Sequence, residues 1–174
     1  MCRDGLPEGK QPRSIRIKTR NSLIHVDDLI QGRFTLDLEN HVGDFVIRRA
    51  DGFFAYHLAT VVDDAEAGFT EIVRGKDLLS STPKQIYLQQ QLSLPTPAYA
   101  HLPILTDHQG KKLGKSTGAK PVDEMPMDQV LALILPTLGI DQELEINPDK
   151  PQEILTHVID TWELSTVPSA AREV

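Results

Sequence analysis

The sequence predicts an α/β domain built on a strand–helix–strand–helix–strand run between residues 44 and 105, one half of a doubly wound parallel sheet. Three observations carry that expectation. Apolar and polar residues alternate at period two early in the chain. From residue 44 onward, short apolar runs take turns with stretches at helical spacing. The 174 residues, 40% apolar and 25% charged, have the composition of an ordinary globular domain with a substantial core.

In chain order, residues 1–12 are polar and carry Gly5, Pro7, Gly9 and Pro12, a loop. Ser14–Lys18 sets Ile15 and Ile17 against Arg16 and Lys18, the pattern of a half-buried strand. Asn21–Val26 and Gly32–Leu38 are further strands, and Asp44–Arg49 is another, closed by the turn Ala50-Asp51-Gly52. Over Phe53–Ala65 the period changes: Phe54, Leu58 and Val61 or Val62 fall at helical spacing, and Gly68 is the breaker. Thr70–Val73 reads as a short strand and Gly75–Ser80 as a turn or short helix. Ser81 or Thr82 then caps a helix that has Pro83 at its first helical position and runs to about Leu92. Ala98–Leu105 is apolar and ends on the turn Asp107-His108-Gln109-Gly110. Met127–Leu138 and Pro151–Trp162 are two helices, with Pro136 kinking or ending the first.

Charge and motif content narrow the function classes. A net charge of −7 argues against a surface that binds nucleic acid everywhere, yet the basic residues are confined. Residues 1–20 are rich in Arg and Lys, residues 111–120 hold Lys111, Lys112, Lys115 and Lys120 without an acid, and 60–66 and 141–149 are acidic. That distribution suits an enzyme meeting a phosphate-rich substrate at one place. No apolar run approaches the ~20 residues of a membrane span. Cys2 is the single cysteine, so no intramolecular disulfide forms, and a cytoplasmic location is expected. His25, His41, His57, His101, His108 and His157 show no metal-hydrolase spacing, and neither a GxSxG elbow nor a Walker loop is present. Asp63 and Asp64, adjacent near a helix end, point in different directions and read as solvated or hydrogen-bonding residues rather than metal ligands.

The sharpest local signal is Lys112-Leu113-Gly114-Lys115-Ser116. Small residues let backbone N–H groups approach an anion, and the ammonium groups supply counter-charge; a solvated surface loop is the plain alternative. The loop follows Tyr99-Ala100-His101-Leu102-Pro103-Ile104-Leu105 and Asp107-His108-Gln109-Gly110-Lys111. Upstream stand Asp44-Phe45-Val46-Ile47-Arg48-Arg49-Ala50-Asp51-Gly52, then Phe54-Ala55-Tyr56-His57-Leu58-Ala59 and Val61-Val62-Asp63-Asp64. Thr70-Glu71-Ile72-Val73-Arg74-Gly75-Lys76-Asp77-Leu78-Leu79 and Ser80-Ser81-Thr82-Pro83-Lys84-Gln85 complete the series.

In this order and spacing the motifs resemble the glutamate-specific class I tRNA synthetases, densely over 44–116, with the basic loop in the place of the KMSKS loop. Met1-Cys2-Arg3-Asp4-Gly5-Leu6-Pro7 and the tail Trp162-Glu163-Leu164-Ser165-Thr166-Val167-Pro168 are similar to glutamyl-Q tRNA(Asp) synthetases in particular. The resemblance implies the C-terminal portion of that enzyme: the second half of a Rossmann-type catalytic domain, with a β-rich N-terminal segment and a small C-terminal helical subdomain. Its divisions are 1–43, a β-rich remnant following the zinc site; 44–120, the half-domain with the KMSKS-like loop; and 121–174, the helical part.

Such an enzyme activates glutamate as an adenylate with ATP and magnesium, then passes the glutamyl group to queuosine in the tRNA(Asp) anticodon. The resemblance makes Tyr56 and Arg74 glutamate-binding, Lys112 and Lys115 catalytic, and Lys115 a ligand of ATP. A guanidinium recognises a carboxylate through two parallel charge-assisted bonds, which lysine cannot copy. An ion pair of Arg74 with Glu71 or Asp77, and a Tyr56 packed on the buried helix face, stay open as structural alternatives. Gly114 replaces the family's usual serine, which removes a hydroxyl and loosens the loop. Cys2 matches the last ligand of the family's structural zinc site, but its co-ligands are not in this sequence, and a free thiol is expected. The HIGH-type motif has no counterpart here, because His41-Val42-Gly43 precedes the wrong strand and lacks the second histidine. The expectation is therefore a chain inactive without a separate N-terminal half. A non-catalytic tRNA- or nucleotide-binding remnant and a piece of a glutamyl-tRNA synthetase are the alternatives.

Overall fold

The computed structural model describes residues 5–140 and 151–173. Cys2 and the acidic 141–149 segment therefore lie outside the described residues. The chain separates into two compact units. The first holds the described residues up to Asp28 with Arg33–Ile72 and Ser80–Tyr99; the second holds Leu29–Gly32, Val73–Leu79 and the described residues from Ala100 onward.

The early strands are β1 (Ile15–Ile17), β2 (Leu23–Asp28) and β3 (Gly32–Asp37), followed by a single helical turn, α1 (Leu38–His41), and β4 (Phe45–Arg48). Strand β2 has the alternation its sequence requires, with Ile24, Val26 and Asp28 buried and the residues between them exposed. Asp37 caps α1 by accepting from the Asn40 N–H. Next come α2 (Tyr56–Glu66), β5 (Glu71–Gly75), a 3-10 stretch over Lys76–Ser81, α3 (Thr82–Leu92) and β6 (Ala98–Leu102). The remainder is β7 (Leu105–Thr106), short 3-10 turns, α4 (Met127–Thr137), α5 (Pro151–Thr161) and β8 (Arg172–Glu173).

The main sheet has the order β3-β2-β6-β5, and β2 pairs with β6 in parallel through Asp28 and Tyr99. This corrects the expected run over 44–105 at its first strand. Strand β4 is not in that sheet; it pairs antiparallel with β1, Ile17 opposite Phe45 and Ile15 opposite Arg48. Arg16 donates to the Asp44 carbonyl at 2.8 Å, and the Thr19 N–H donates to the Asp44 carboxylate at 3.0 Å, which anchor that pairing. Apolar runs of four residues report burial but not their partner, so the sequence could not separate β4 from the strands after it. The strands that do join β5 and β6 come from the β-rich segment before residue 43.

The helix expected from Phe53 begins at Tyr56. Phe54 pairs with Arg48 across the Asp51-Gly52 turn and is 64% exposed, so it is not part of the buried helical stripe. Leu58 and Val61 are, and they pack on the first unit's core of Ile24, Val26, Leu38, Phe45, Ile86, Tyr87, Leu88 and Tyr99. Each fully buried aliphatic there contributes about 1.5–3 kcal/mol. Helix α2 ends as Gly68 foretold, with Gly68 N–H on the Ala65 carbonyl and Phe69 N–H on that of Asp64. In α3 the serine stands at the cap position, but Ser81 is already helical after the 3-10 stretch and its side chain makes no capping bond. Pro136 sits in the last turn of α4 without breaking it earlier. That helix packs on α5 through Leu131, Leu135, Ile154 and Val158. Among the described residues, no helix is long and apolar enough to cross a membrane.

Candidate functional site

The chemistry-bearing residues of the second unit gather around the end of β5. Arg74, half-buried, donates through Nε to His101 Nε2 on β6 at 3.0 Å. An arginine offers only donors, so the ring nitrogen it meets serves as the acceptor. His101 is 0% exposed, and its carbonyl accepts from the Gln31 amide at 2.8 Å. One residue beyond Arg74, Gly75 has no side chain for a physical reason: a Cβ there would lie 2.5 Å from Asp77 Oδ1. The freed space lets the Asp77 carboxylate fold back toward the strand.

That carboxylate accepts from Lys112 Nζ at 2.6 Å. The bond from Lys112 is the main cause that holds the Asp77 carboxyl below its ordinary value, with burial opposing it. Lys112 is carried by the hairpin that follows β7, in which Thr106 pairs with Lys112 and the Leu113 N–H reaches the Leu105 carbonyl at 2.8 Å. Asp107 closes the tip by accepting from the N–H groups of Gln109 and Lys111, both at 2.9 Å. The expected turn over Asp107–Gly110 is thus present, and β8 flanks β7 in parallel.

Lys115 opens the 3-10 turn Lys115–Thr117. Its side chain is exposed and makes no hydrogen bond or ion pair with a described residue. The loop is closed by Thr117, whose hydroxyl accepts from the Gly114 N–H at 3.0 Å and donates to the Gly114 carbonyl at 2.9 Å, with the Lys112 carbonyl a longer alternative at 3.3 Å. Gly114 has φ −179, an extended conformation open to any residue, and nothing lies within 4 Å of a Cβ placed there.

Arg74, Asp77, Lys112 and Lys115 therefore share the second unit, where Asp77 links the end of β5 to the hairpin that carries Lys112. Tyr56 belongs to the first unit, as the opening residue of α2. It is 55% exposed, so it is not packed on the buried helix face; its ring meets that of His57 edge-on at 5.6 Å. The Asp77 carboxylate is engaged by Lys112 rather than by Arg74, which removes one of the two ion pairs considered for the arginine. Sequence reasoning passed over His101, Gly75 and Thr117 as contributors. A histidine inside the apolar run Tyr99–Leu105 was the available signal, since a buried imidazole requires a partner. Among the described residues, no group of three or more His, Cys, Asp or Glu side chains is arranged to hold a metal ion.

Comparison with known proteins gives the family of the chain. The family model for tRNA synthetases class I (E and Q), catalytic domain, matches residues 4–166. Among curated relatives, a glutamyl-Q tRNA(Asp) synthetase of Methylococcus capsulatus is 48% identical over 159 residues, 91% of this chain and 53% of its own length. That of Thiobacillus denitrificans is 45% identical over 168 residues, 97% of this chain and 56% of its own. The chain thus spans about half the length of the curated relatives it matches. A crystal structure of the glutamate-tRNA synthetase of Elizabethkingia anophelis superposes with a TM-score of 0.72 at 26% identity, covering 99% of this chain and 40% of that one. A glutamate tRNA ligase of Elizabethkingia meningosepticum, in complex with its amino acid, gives 0.71 at 25% identity, covering 98% and 39%. The sequence resemblance to glutamyl-Q tRNA(Asp) synthetases is borne out by these relatives, and the chain belongs to the catalytic-domain family of the class I tRNA synthetases for glutamate and glutamine.

Proposed function

We propose that this chain supplies the carboxylate-binding and phosphate-binding residues of an enzyme that activates glutamate with ATP and passes the glutamyl group to queuosine in tRNA(Asp). In the first step a carboxylate oxygen of glutamate attacks the α-phosphorus of ATP. The bond to the bridging oxygen breaks, and pyrophosphate leaves with the charge that develops. Arg74 holds substrate carboxylate, and Tyr56 is the reading's other glutamate-binding residue. Lys115 meets the phosphates, and a donor aimed at charge developing in the transition state is worth roughly 3–4 kcal/mol. Lys112 acts by charge and by holding the loop.

The observation that carries this reading is the 2.6 Å bond between Lys112 and Asp77, which ties the basic loop to the stretch that directly follows Arg74. The uncommitted ammonium of Lys115 is the second support. Magnesium, which the family implies, neutralises phosphate charge when it accompanies ATP and is held largely by the phosphates themselves. Zinc is left out of the reading, and Cys2, the one residue matched to its site, lies outside the described residues.

The test is glutamate-dependent ATP–pyrophosphate exchange, measured on this chain with and without a segment covering the rest of its relatives' length. Exchange is expected only from the combination. Robust exchange by the chain alone would overturn the division of the site. In the combination, Lys115→Ala should slow exchange far more than it weakens glutamate binding, whereas Arg74→Ala should weaken glutamate binding directly. Equal, negligible effects would remove both assignments.

A further inference from the structure

We propose that the first unit carries a binding site of its own, a cavity that takes a small aliphatic amine in its ammonium form. The cavity, of about 180 Å³, is lined by the end of α2, by Phe69 and Thr70 ahead of β5, by Gln89 of α3 and by the Pro95–Pro97 stretch ahead of β6. All of these residues belong to the first unit, and none takes part in the arrangement around Arg74 and Lys112. Backbone bonds preset the walls. The Ala98 N–H donates to the Thr70 carbonyl and the Leu94 N–H to the Gln89 carbonyl, both at 2.9 Å, and the Phe69 N–H donates to the Asp64 carbonyl at 3.0 Å.

The chemistry of the cavity is one-sided. Gln89 is 2% exposed, and its Nε2 donates to the Tyr99 hydroxyl at 3.0 Å. Its Oε1 is buried and accepts from no described residue. An acceptor in that state calls for a donor from outside the chain. A water would need two to four polar partners, whereas Val61, Ala65, Pro95 and Pro97 line the space with hydrocarbon. A donor on a short apolar stem suits both surfaces, the head bonding Oε1 and the stem covering the hydrocarbon. Three features favour positive charge on that donor. Asp64 and Ala65 bring the last turn of α2 to the cavity, the carbonyl end of a helix with no basic side chain in that turn. The lining holds no lysine or arginine, and its single ionisable residue, Asp64, is an acid already engaged within the protein. Phe69, 58% exposed, supplies an aromatic ring for a cation. A cavity of roughly 150 Å³ accommodates benzene, so about six or seven non-hydrogen atoms fit here. That is the size of a free amine of four to six carbons, or of a lysine side chain.

The experiment titrates n-butylammonium chloride, Nα-acetyl-lysine N-methylamide, n-butanol and sodium acetate separately into the 174-residue chain at neutral pH. The Gln89 side-chain amide and the backbone N–H groups of Gly68, Phe69 and Thr70 are followed by NMR. Saturable shifts at these groups are expected from an ammonium probe, with a Kd on the order of 1 mM. The tighter of the two ammonium probes identifies the source as a free amine or a lysine side chain. Butanol should bind about 10-fold more weakly, and acetate should not saturate. Gln89→Met should raise the Kd about 10-fold, and Phe69→Leu, at an exposed position, about 3-fold. Should Gln89→Met fail to fold, Phe69→Leu decides together with Ala65→Met, which fills the cavity and should abolish saturation. Shifts that rise linearly and spread over the acidic 60–66 segment would reduce the effect to loose counter-ion attraction and overturn the site. Butanol binding as tightly as butylammonium would make it an apolar hole, and saturation by acetate would show the Gln89 amide presenting its donors instead; either result overturns the ammonium assignment, as would variants that bind like the unaltered chain.

Discussion

Replacing Gly75 by alanine should unlatch the basic loop without unfolding the protein. The added Cβ would lie 2.5 Å from Asp77 Oδ1 and 3.7 Å from both Asp77 Cγ and an Ile104 methyl, so only the carboxylate oxygen stands in its way. That oxygen must retreat by about 0.5 Å or more to reach an ordinary contact, which a short side chain achieves by rotation rather than by moving backbone. Rotation takes Oδ2 off the Lys112 ammonium, 2.6 Å away in the wild type. The pair is partly exposed, with side-chain exposures of 55% and 33%, so its loss costs only ~0.2–1 kcal/mol. Gly→Ala at a position without positive φ also returns ~0.4–1 kcal/mol through the unfolded chain. The two effects are of similar size, and the melting temperature is expected to move little.

The discriminating measurement is therefore the titration of the Asp77 carboxyl carbon by NMR. Lys112 holds that carboxyl below 3.8 in the native state, so the bond's stabilisation is present above the unfolded value and disappears as pH falls through the lower native one. In Gly75→Ala the midpoint should climb toward 3.8, as it should in Lys112→Met, and the double variant should add nothing further. An unmoved midpoint, or additive shifts, would refute the reasoning.

Other positions give sharper energetic outcomes. Gly139→Ala should be strongly destabilising, because Gly139 has φ +75 and its Cβ would lie 2.1 Å from the Thr166 carbonyl oxygen. A loss of ~2–4 kcal/mol by urea unfolding is expected, and a change below ~0.5 kcal/mol would contradict the contact. Gly114→Ser should fold normally and raise stability by ~0.4–1 kcal/mol, since its extended backbone and open surroundings accept a side chain. A clear fall in the unfolding midpoint would show that the loop requires glycine. Tyr87→Phe should cost ~1–2 kcal/mol, because the phenol donates to the Lys18 carbonyl at 2.7 Å and its removal leaves a part-buried acceptor unpaired. An unchanged chemical denaturation curve would count against that bond.

Much of this protein was legible as one-dimensional pattern. The alternation of β2, the breaker at Gly68, the turn over Asp107–Gly110 and the extent of α3 all follow from local periodicity and backbone chemistry, which neighbouring residues decide among themselves. The order of motifs from Asp44 to Ser116 also sufficed for the family, through their resemblance to the glutamate-specific class I synthetases. Partner choice was not legible. A four-residue strand exposes the same backbone donors and acceptors to any neighbour, so only three-dimensional packing could send β4 to β1 and bring β2 beside β6. The same holds for the site. Nothing local tells an arginine that its Nε will meet a histidine 27 residues later, or tells Asp77 that a lysine 35 residues on will arrive at 2.6 Å. Sequence alone determined which groups were available and what kinds of bond they can form. Their pairing required folding, because hydrogen bonds and charges act over a few ångströms while the residues that share them lie far apart along the chain.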